Sequence, residues 1–164
     1  MMEGPQMATA NMRGWAAPVL AAAAAIAVAG GLLAPPAAAQ CAVQPQDGAW
    51  VNLNPNTRSI TRVVLRFTCQ DQVLNGQPFP PGPPWHVHIF GKCHPIDCDW
   101  HEVGAQRLSN GQIVATYDQG FANRTVHAHM SQQQPDTLEL MIHTNFNDPN
   151  RRDYDIDELF RRQQ

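Results

Sequence analysis

The chain has 164 residues, with 11 Lys and Arg against 14 Asp and Glu, for a formal charge of −3. Once a leader is set aside, the length suits one domain and is too short for two cores. A mildly acidic chain without a basic block argues against nucleic-acid partners, which need clustered Lys and Arg. Recurring strand-like apolar runs exclude a disordered chain.

Ala16 to Leu33 is an almost unbroken Ala/Val/Leu/Ile/Gly run, preceded by Arg13 and followed by Ala34-Pro35-Pro36-Ala37-Ala38-Ala39. A weakly positive start, an apolar stretch and small residues at −3 and −1 predict a signal peptide over 1–39, cut after Ala39. The competing reading is a transmembrane anchor, since the run is near the lower length limit for crossing a bilayer. Ala and Gly supply little hydrophobic drive, and the Pro pair breaks a helix just before the Ala box. We therefore expect secretion to a bacterial periplasm or medium, with no stable membrane anchor after cleavage, and a single domain over 40–164. Gln40 before Cys41 argues against lipid attachment.

From there the chain reads as strands, with apolar residues at alternate positions. Gly48-Ala49-Trp50-Val51-Asn52 opens the first. Ile60–Phe67 sets Val63, Leu65 and Phe67 against Arg62 and Arg66. Trp85–Phe90 sets Val87 and Ile89 against His86, His88 and Phe90. Gln112–Tyr117 aligns Ile113, Ala115 and Tyr117. Arg124–Met130 aligns Val126, Ala128 and Met130 against Thr125, His127 and His129. Leu138–Phe146 sets Leu138, Leu140, Ile142 and Phe146 against Glu139, Met141, His143 and Asn145. Asp153–Phe160 sets Tyr154, Ile156 and Phe160 against three aspartates, with a short helix as the competing reading. Turn signals separate these runs at 54–56, the Pro-rich 76–84, Asn110-Gly111, 118–120, 132–136 and 147–150. Asn110-Gly111 predicts a type I′ hairpin turn with positive φ at both residues. No long helical period and no repeat appear. Seven or eight short strands joined by near-sequential hairpins predict an all-β, antiparallel up-and-down barrel, with a sandwich or jelly roll as the alternative.

All four cysteines (Cys41, Cys69, Cys93, Cys98) follow the leader, and an even count in an oxidising compartment implies two disulfides. Three pairings are possible; we favour Cys93–Cys98 with Cys41–Cys69. The rival is a metal site of Cys93, Cys98 and nearby histidines, but no second Cys pair has matching spacing.

The G-x-W-x-N opening resembles the start of avidin-like and lipocalin-like barrels, in which the Trp plugs one barrel end. A broader resemblance is to a group of uncharacterised small secreted bacterial domains. Their pattern joins that opening to a C-H-P-x-D-C-x-W loop and a late R-x-D-Y segment, here Gly48–Asn52, Cys93–Trp100 and Arg151–Tyr154. That pattern has Gly after the loop Trp, where this chain has His101. The resemblance implies a fold and an address, and no activity.

His86-Val87-His88 and His127-Ala128-His129 each put two imidazoles on one side of a strand, about 6–7 Å apart. A simple hairpin through 131–137 would place His129 opposite Glu139, His127 opposite Met141 and Thr125 opposite His143. One sheet face would then carry His127, His129, His143, Glu139 and Met141, a set suited to copper or zinc. In a closed barrel these histidines point outward and the 86/88 and 127/129 pairs diverge, so they are also simply surface residues, neutral at pH 7. The cupin pattern also begins His-x-His, but its following Glu is missing here.

Other catalytic chemistry is thin. Ser59, Ser109 and Ser131 lack a nucleophile-elbow context, and oxidised cysteines offer no thiolate. Asp97, Asp99 and Glu102 cluster with His94 and His101 around the small loop, as acid/base groups, cation ligands or caps of their own backbone. An arginine of Arg151-Arg152-Asp153-Tyr154 is expected to pack against Trp50 and close a barrel end. Trp50, Trp85 and Trp100 would suit stacking on a sugar as well as core anchoring.

These residues lead to three readings. The first is a non-enzymatic binding module taking a small ligand or glycan at the end bearing the Cys93–Cys98 loop. Its expected ligand residues are Trp50, Asn52, Trp85, His94, Asp97, Asp99, Trp100, His101, Arg151 and Tyr154, with a transition metal on the histidine face as an addition. The second is a mononuclear copper or zinc enzyme using His86, His88 and a further His. The third is a structural envelope protein.

Overall fold

The structure is a computed structural model describing residues 41–164; the expected leader lies outside the described residues. Ten strands follow in chain order: β1 Gly48–Asn52, β2 Ile60–Phe67, β3 Gln72–Leu74, β4 Gln77–Phe79, β5 Trp85–Gly91, β6 Cys98–Arg107, β7 Ile113–Asp118, β8 Ala122–Met130, β9 Thr137–Phe146 and β10 Tyr154–Arg162. Eight of them close into an antiparallel barrel in the order β1-β10-β9-β8-β7-β6-β5-β2, and β3–β4 form a separate two-stranded ribbon. Every barrel neighbour except the β1–β10 seam is also a neighbour in sequence once that ribbon is passed over, so this is the expected up-and-down meander. Closure gives every barrel strand a neighbour on both sides, though β6 meets β7 only over Ala105–Arg107 and β10 meets β1 only over Phe160–Arg162.

Alternation does the folding. Trp50, Val63, Leu65, Trp85, Val87, Ile89, Ile113, Ala115, Tyr117, Val126, Ala128, Leu138, Leu140, Ile142 and Phe160 are all buried and fill the interior. Each large side chain so buried contributes roughly 1.5–3 kcal/mol. Tyr117 crosses the lumen, its hydroxyl donating to the Val87 carbonyl at 2.7 Å. The tail is strand, not helix, and pairs along its length with β9.

Three local expectations need correction. The Asn110-Gly111 turn has positive φ only at Gly111 (86°), and the Gly111 amide donates to the Leu108 carbonyl. That is a β-turn followed by a left-handed glycine, the three-residue hairpin alternative to type I′. The Pro-rich 76–84 stretch is not all turn, since Gln77–Phe79 pair with Gln72–Leu74. Finally, β6 was not foreseen as a strand. A bulge falls where His88 pairs with Glu102 and Phe90 with Asp99, and His101 there takes φ 67°. This left-handed conformation is the one glycine adopts most freely, so a histidine there is held at some backbone strain.

The two barrel ends differ. At one, residues 44–47 fold over the opening: Trp50 Nε1 donates to the Gln46 carbonyl at 2.9 Å, and Arg107 reaches both Gln44 and Gln46. Arg162 lies 4.3 Å over the Trp50 ring and donates to the Pro45 and Asp47 carbonyls. Thus an arginine does cap Trp50, but it is Arg162, which the β1–β10 register sets directly opposite. Arg151 instead stacks on Phe146 at 3.7 Å. The disulfides are Cys41–Cys69 and Cys93–Cys98, as favoured. The first ties down the segment entering the closed end, and the second staples the β5–β6 loop at the other.

Candidate functional site

The end opposite the N-terminal stopper is open. A cavity of about 420 Å³ lies there, between the β5–β6 disulfide loop, the β7–β8 turn and the start of β10. Ile60, Trp100, Phe121, Tyr154 and Ile156 supply its apolar and aromatic wall, and Arg124 enters from β8. Each is delivered by strand geometry. Arg124 has the same parity as the fully buried Ala122 and Val126, so its side chain is directed inward. Trp100 has inward parity before the bulge, and Val103 resumes it after, which sends His101 and Glu102 both outward.

Arg124 stands with its guanidinium carbon 4.3 Å from the Trp100 ring centre and 5.8 Å from that of Phe121. Its Nε is buried without a hydrogen-bond partner among the described residues. Burial pushes the Arg124 pKa down, with Tyr154 opposing and Arg151 adding to the effect. Trp100 meets Tyr117 edge-on at 5.6 Å, and its Nε1 lies 3.0 Å from where a Cβ on Gly91 would sit. A larger residue at Gly91 would push the indole toward the cavity.

The expected ligand residues separate into groups. Asp99, Trp100 and Tyr154 line this mouth, as do Cys93 and Cys98. Trp50 and Trp85 do not: both are buried core residues at the stoppered end and present no face to a ligand. Asn52 is structural, donating to the Ile60 carbonyl and accepting from the Asn54 amide. Asp97 accepts from the Thr61 hydroxyl at 2.6 Å and lies 3.6 Å from Lys92, holding the loop to β2. His94 is exposed on the loop. Arg151 stands at the rim over Phe146, 6.0 Å from the Phe121 ring. Arg124 itself escaped the sequence reading, although it shares the parity of Val126, Ala128 and Met130; a cation in that phase was the available signal.

The histidines face outward as expected, and the β8–β9 register is the anticipated one: His129 opposite Glu139, His127 opposite Met141 and Thr125 opposite His143. The side chains nevertheless resolve into pairs. His129 approaches Glu139 at 3.7 Å, His143 bonds Asp155 at 2.7 Å and His127 meets Gln112 at 3.3 Å. On β5, His88 bonds Asp99 at 2.6 Å, with His101 Nδ1 3.9 Å from the same oxygen. The His101 backbone amide, then His88, hold the Asp99 carboxyl below its usual range. The Nδ1 atom of His86 is buried without a partner. Among the described residues, one set of three His, Cys, Asp or Glu donors gathers within 4.8 Å: Cys41, Cys69 and Asp71, whose sulfurs are joined in a disulfide. The histidine face therefore offers two-donor contacts and no ready three-donor centre.

Among the described residues no helix is long and apolar enough to cross a membrane. Comparison with known proteins finds no match: no family model, curated protein or solved structure matches the chain.

Proposed function

We propose that this protein is a secreted or periplasmic β-barrel binding module that takes a small molecule in its open mouth. The observation that carries this is the 420 Å³ cavity at the loop end, walled by aromatics around an arginine that has no ion partner among the described residues, while residues 44–47 and Arg162 cover the other end. That volume lies in the usual range for small-ligand pockets, and such pockets are mostly apolar with few polar groups. Export is supported by the two disulfides and by the leader pattern in the sequence. The cavity lies at the end bearing the Cys93–Cys98 loop. A glycan is the less favoured cargo, because the Trp100 ring is already stacked by Arg124.

Thermal unfolding across a panel of small organic acids, neutral apolar compounds and sugars tests the reading, since a ligand that binds only the folded state raises Tm. Stabilisation by at least one class, lost in Trp100→Ala, is expected. A flat response across the whole panel sinks it.

A second reading, a copper or zinc site, draws support from the two-donor contact of His88 with Asp99 at 2.6 Å. Metal analysis of untagged protein decides it: a sub-stoichiometric content, unchanged by His88→Ala, dismisses that centre.

A further inference from the structure

We propose that the mouth takes a small organic anion, a carboxylate on an apolar or aromatic body, with Arg124 as its ion partner. This inference rests on the mouth being a ligand site and names the class of ligand.

A guanidinium directed into a barrel wall gives up hydration and ordinarily recovers it from a carboxylate. Arg124 does not. The ion pairs among the described residues are Arg66–Glu102, Lys92–Asp97 and four His–carboxylate contacts, and none includes it. The acidic groups of the rim are engaged elsewhere. Asp99 holds His88 and the His101 amide, Asp97 holds Thr61, Asp118 accepts from the Gly120 amide, and Asp153 accepts from Asn145 and the Phe146 amide. Directly across from Arg124 on β9 stands Thr144, 1% exposed, its hydroxyl also without a partner. Two neighbouring inward positions thus carry polar atoms that the fold leaves unsatisfied, an uncommon condition, and of the two Arg124 lines the cavity.

The aromatic contacts set how that group would be met. With its central carbon over the Trp100 ring, the guanidinium has its terminal nitrogens left for a charge-assisted contact with a carboxylate. Arg151, stacked on Phe146 at the rim and likewise without a carboxylate partner, adds positive potential at the entrance. The rest of the wall rules against a bare inorganic anion. Ile60, Ile156, Phe121 and Tyr154 give it an apolar surface that a phosphate or sulfate would leave uncovered, whereas a ligand with an apolar body buries it.

The test uses naphthoate, its uncharged counterpart naphthamide, and sodium sulfate, with binding to the purified protein followed by calorimetry and Trp fluorescence. Naphthoate should bind about tenfold or more tightly than naphthamide. Arg124→Met should weaken naphthoate binding far more than naphthamide binding, so that the preference collapses; a generally damaged pocket would weaken both alike. Should that variant fail to fold, Arg124→Lys keeps the charge but not the fork, and the preference should shrink; an unchanged preference overturns the proposal. Equal binding of naphthoate and naphthamide overturns the anion assignment and leaves the mouth-pocket reading intact. Sulfate binding as tightly as naphthoate overturns the apolar-body requirement. If neither naphthalene compound binds, the proposal is rejected, and the wider panel alone then decides the mouth reading.

Discussion

Arg124→Met should make the ligand-free protein more stable. The guanidinium's Nε is buried and unpartnered, and leaving such a donor unsatisfied costs about 1–3 kcal/mol. Only part of the side chain is out of water, so the lower half of that range applies. Against it stands the stacking on Trp100 at 4.3 Å, worth about 0.5–1 kcal/mol at a partly exposed site. The balance is a gain of about 0.7 kcal/mol, which in a domain of this size raises Tm by about 2–4 °C. Thermal and urea unfolding at pH 7, in a buffer free of carboxylates and sulfate, measures it. A variant less stable than the parent by 1 kcal/mol or more would refute the reasoning. It would show the arginine to be a structural support of the mouth, not a group held at a cost for a ligand.

Glu158 lies on the inward face of β10 and accepts from the Thr57 hydroxyl at 2.7 Å and the Ile60 amide at 3.3 Å, so it stitches the 53–59 loop across the β10–β2 gap. Glu158→Gln should cost about 1–2 kcal/mol in urea unfolding, with Ile60 amide exchange accelerated. Replacing both Cys93 and Cys98 by Ser should cost about 2 kcal/mol, and the same change at Cys41 and Cys69 about 3.5 kcal/mol, because the second pair closes a much longer loop. Denaturant midpoints of the two double variants check that order. Asp157 has its pKa raised from 3.8, first by burial, then by Glu139, with His129 opposing. An acid raised in the folded state contributes stability below its unfolded pKa and loses it as pH rises through the folded one. Asp157→Asn should therefore leave stability unchanged at pH 3 and raise it at pH 7 by about 0.5 kcal/mol or less, as the group is largely exposed.

Period-two patterning made most of the barrel legible, because a strand with one buried face must alternate and a slip of one residue would turn that whole face outward. The β8–β9 register followed from the turn length alone. β6 stayed hidden for a definite reason: the bulge at His101 spaces its inward residues Trp100 and Val103 three apart, which breaks the alternation. The candidate site was half legible. Its location followed from the disulfide loop, and Trp100, Asp99 and Tyr154 do line it. Arg124 drew no reading, although its parity with Val126 places it inward, where a charged residue is uncommon. Glu158 shares the inward parity of Ile156 and Phe160 for the same kind of reason. Which arginine would cover Trp50 depended on a pairing between the two extremes of the sheet, and no local pattern reports that.

That pairing has a consequence for how the molecule is made. β1 and β10 join residues more than a hundred positions apart, Trp50 against Arg162, and the same arginine then locks the segment before β1. Seven of the eight seams can form by successive hairpins, but the hoop cannot shut until the last strand has been synthesised. Until that moment the nascent sheet exposes two raw margins and a solvent-filled trough, so closure should come late and arrive as a single cooperative event.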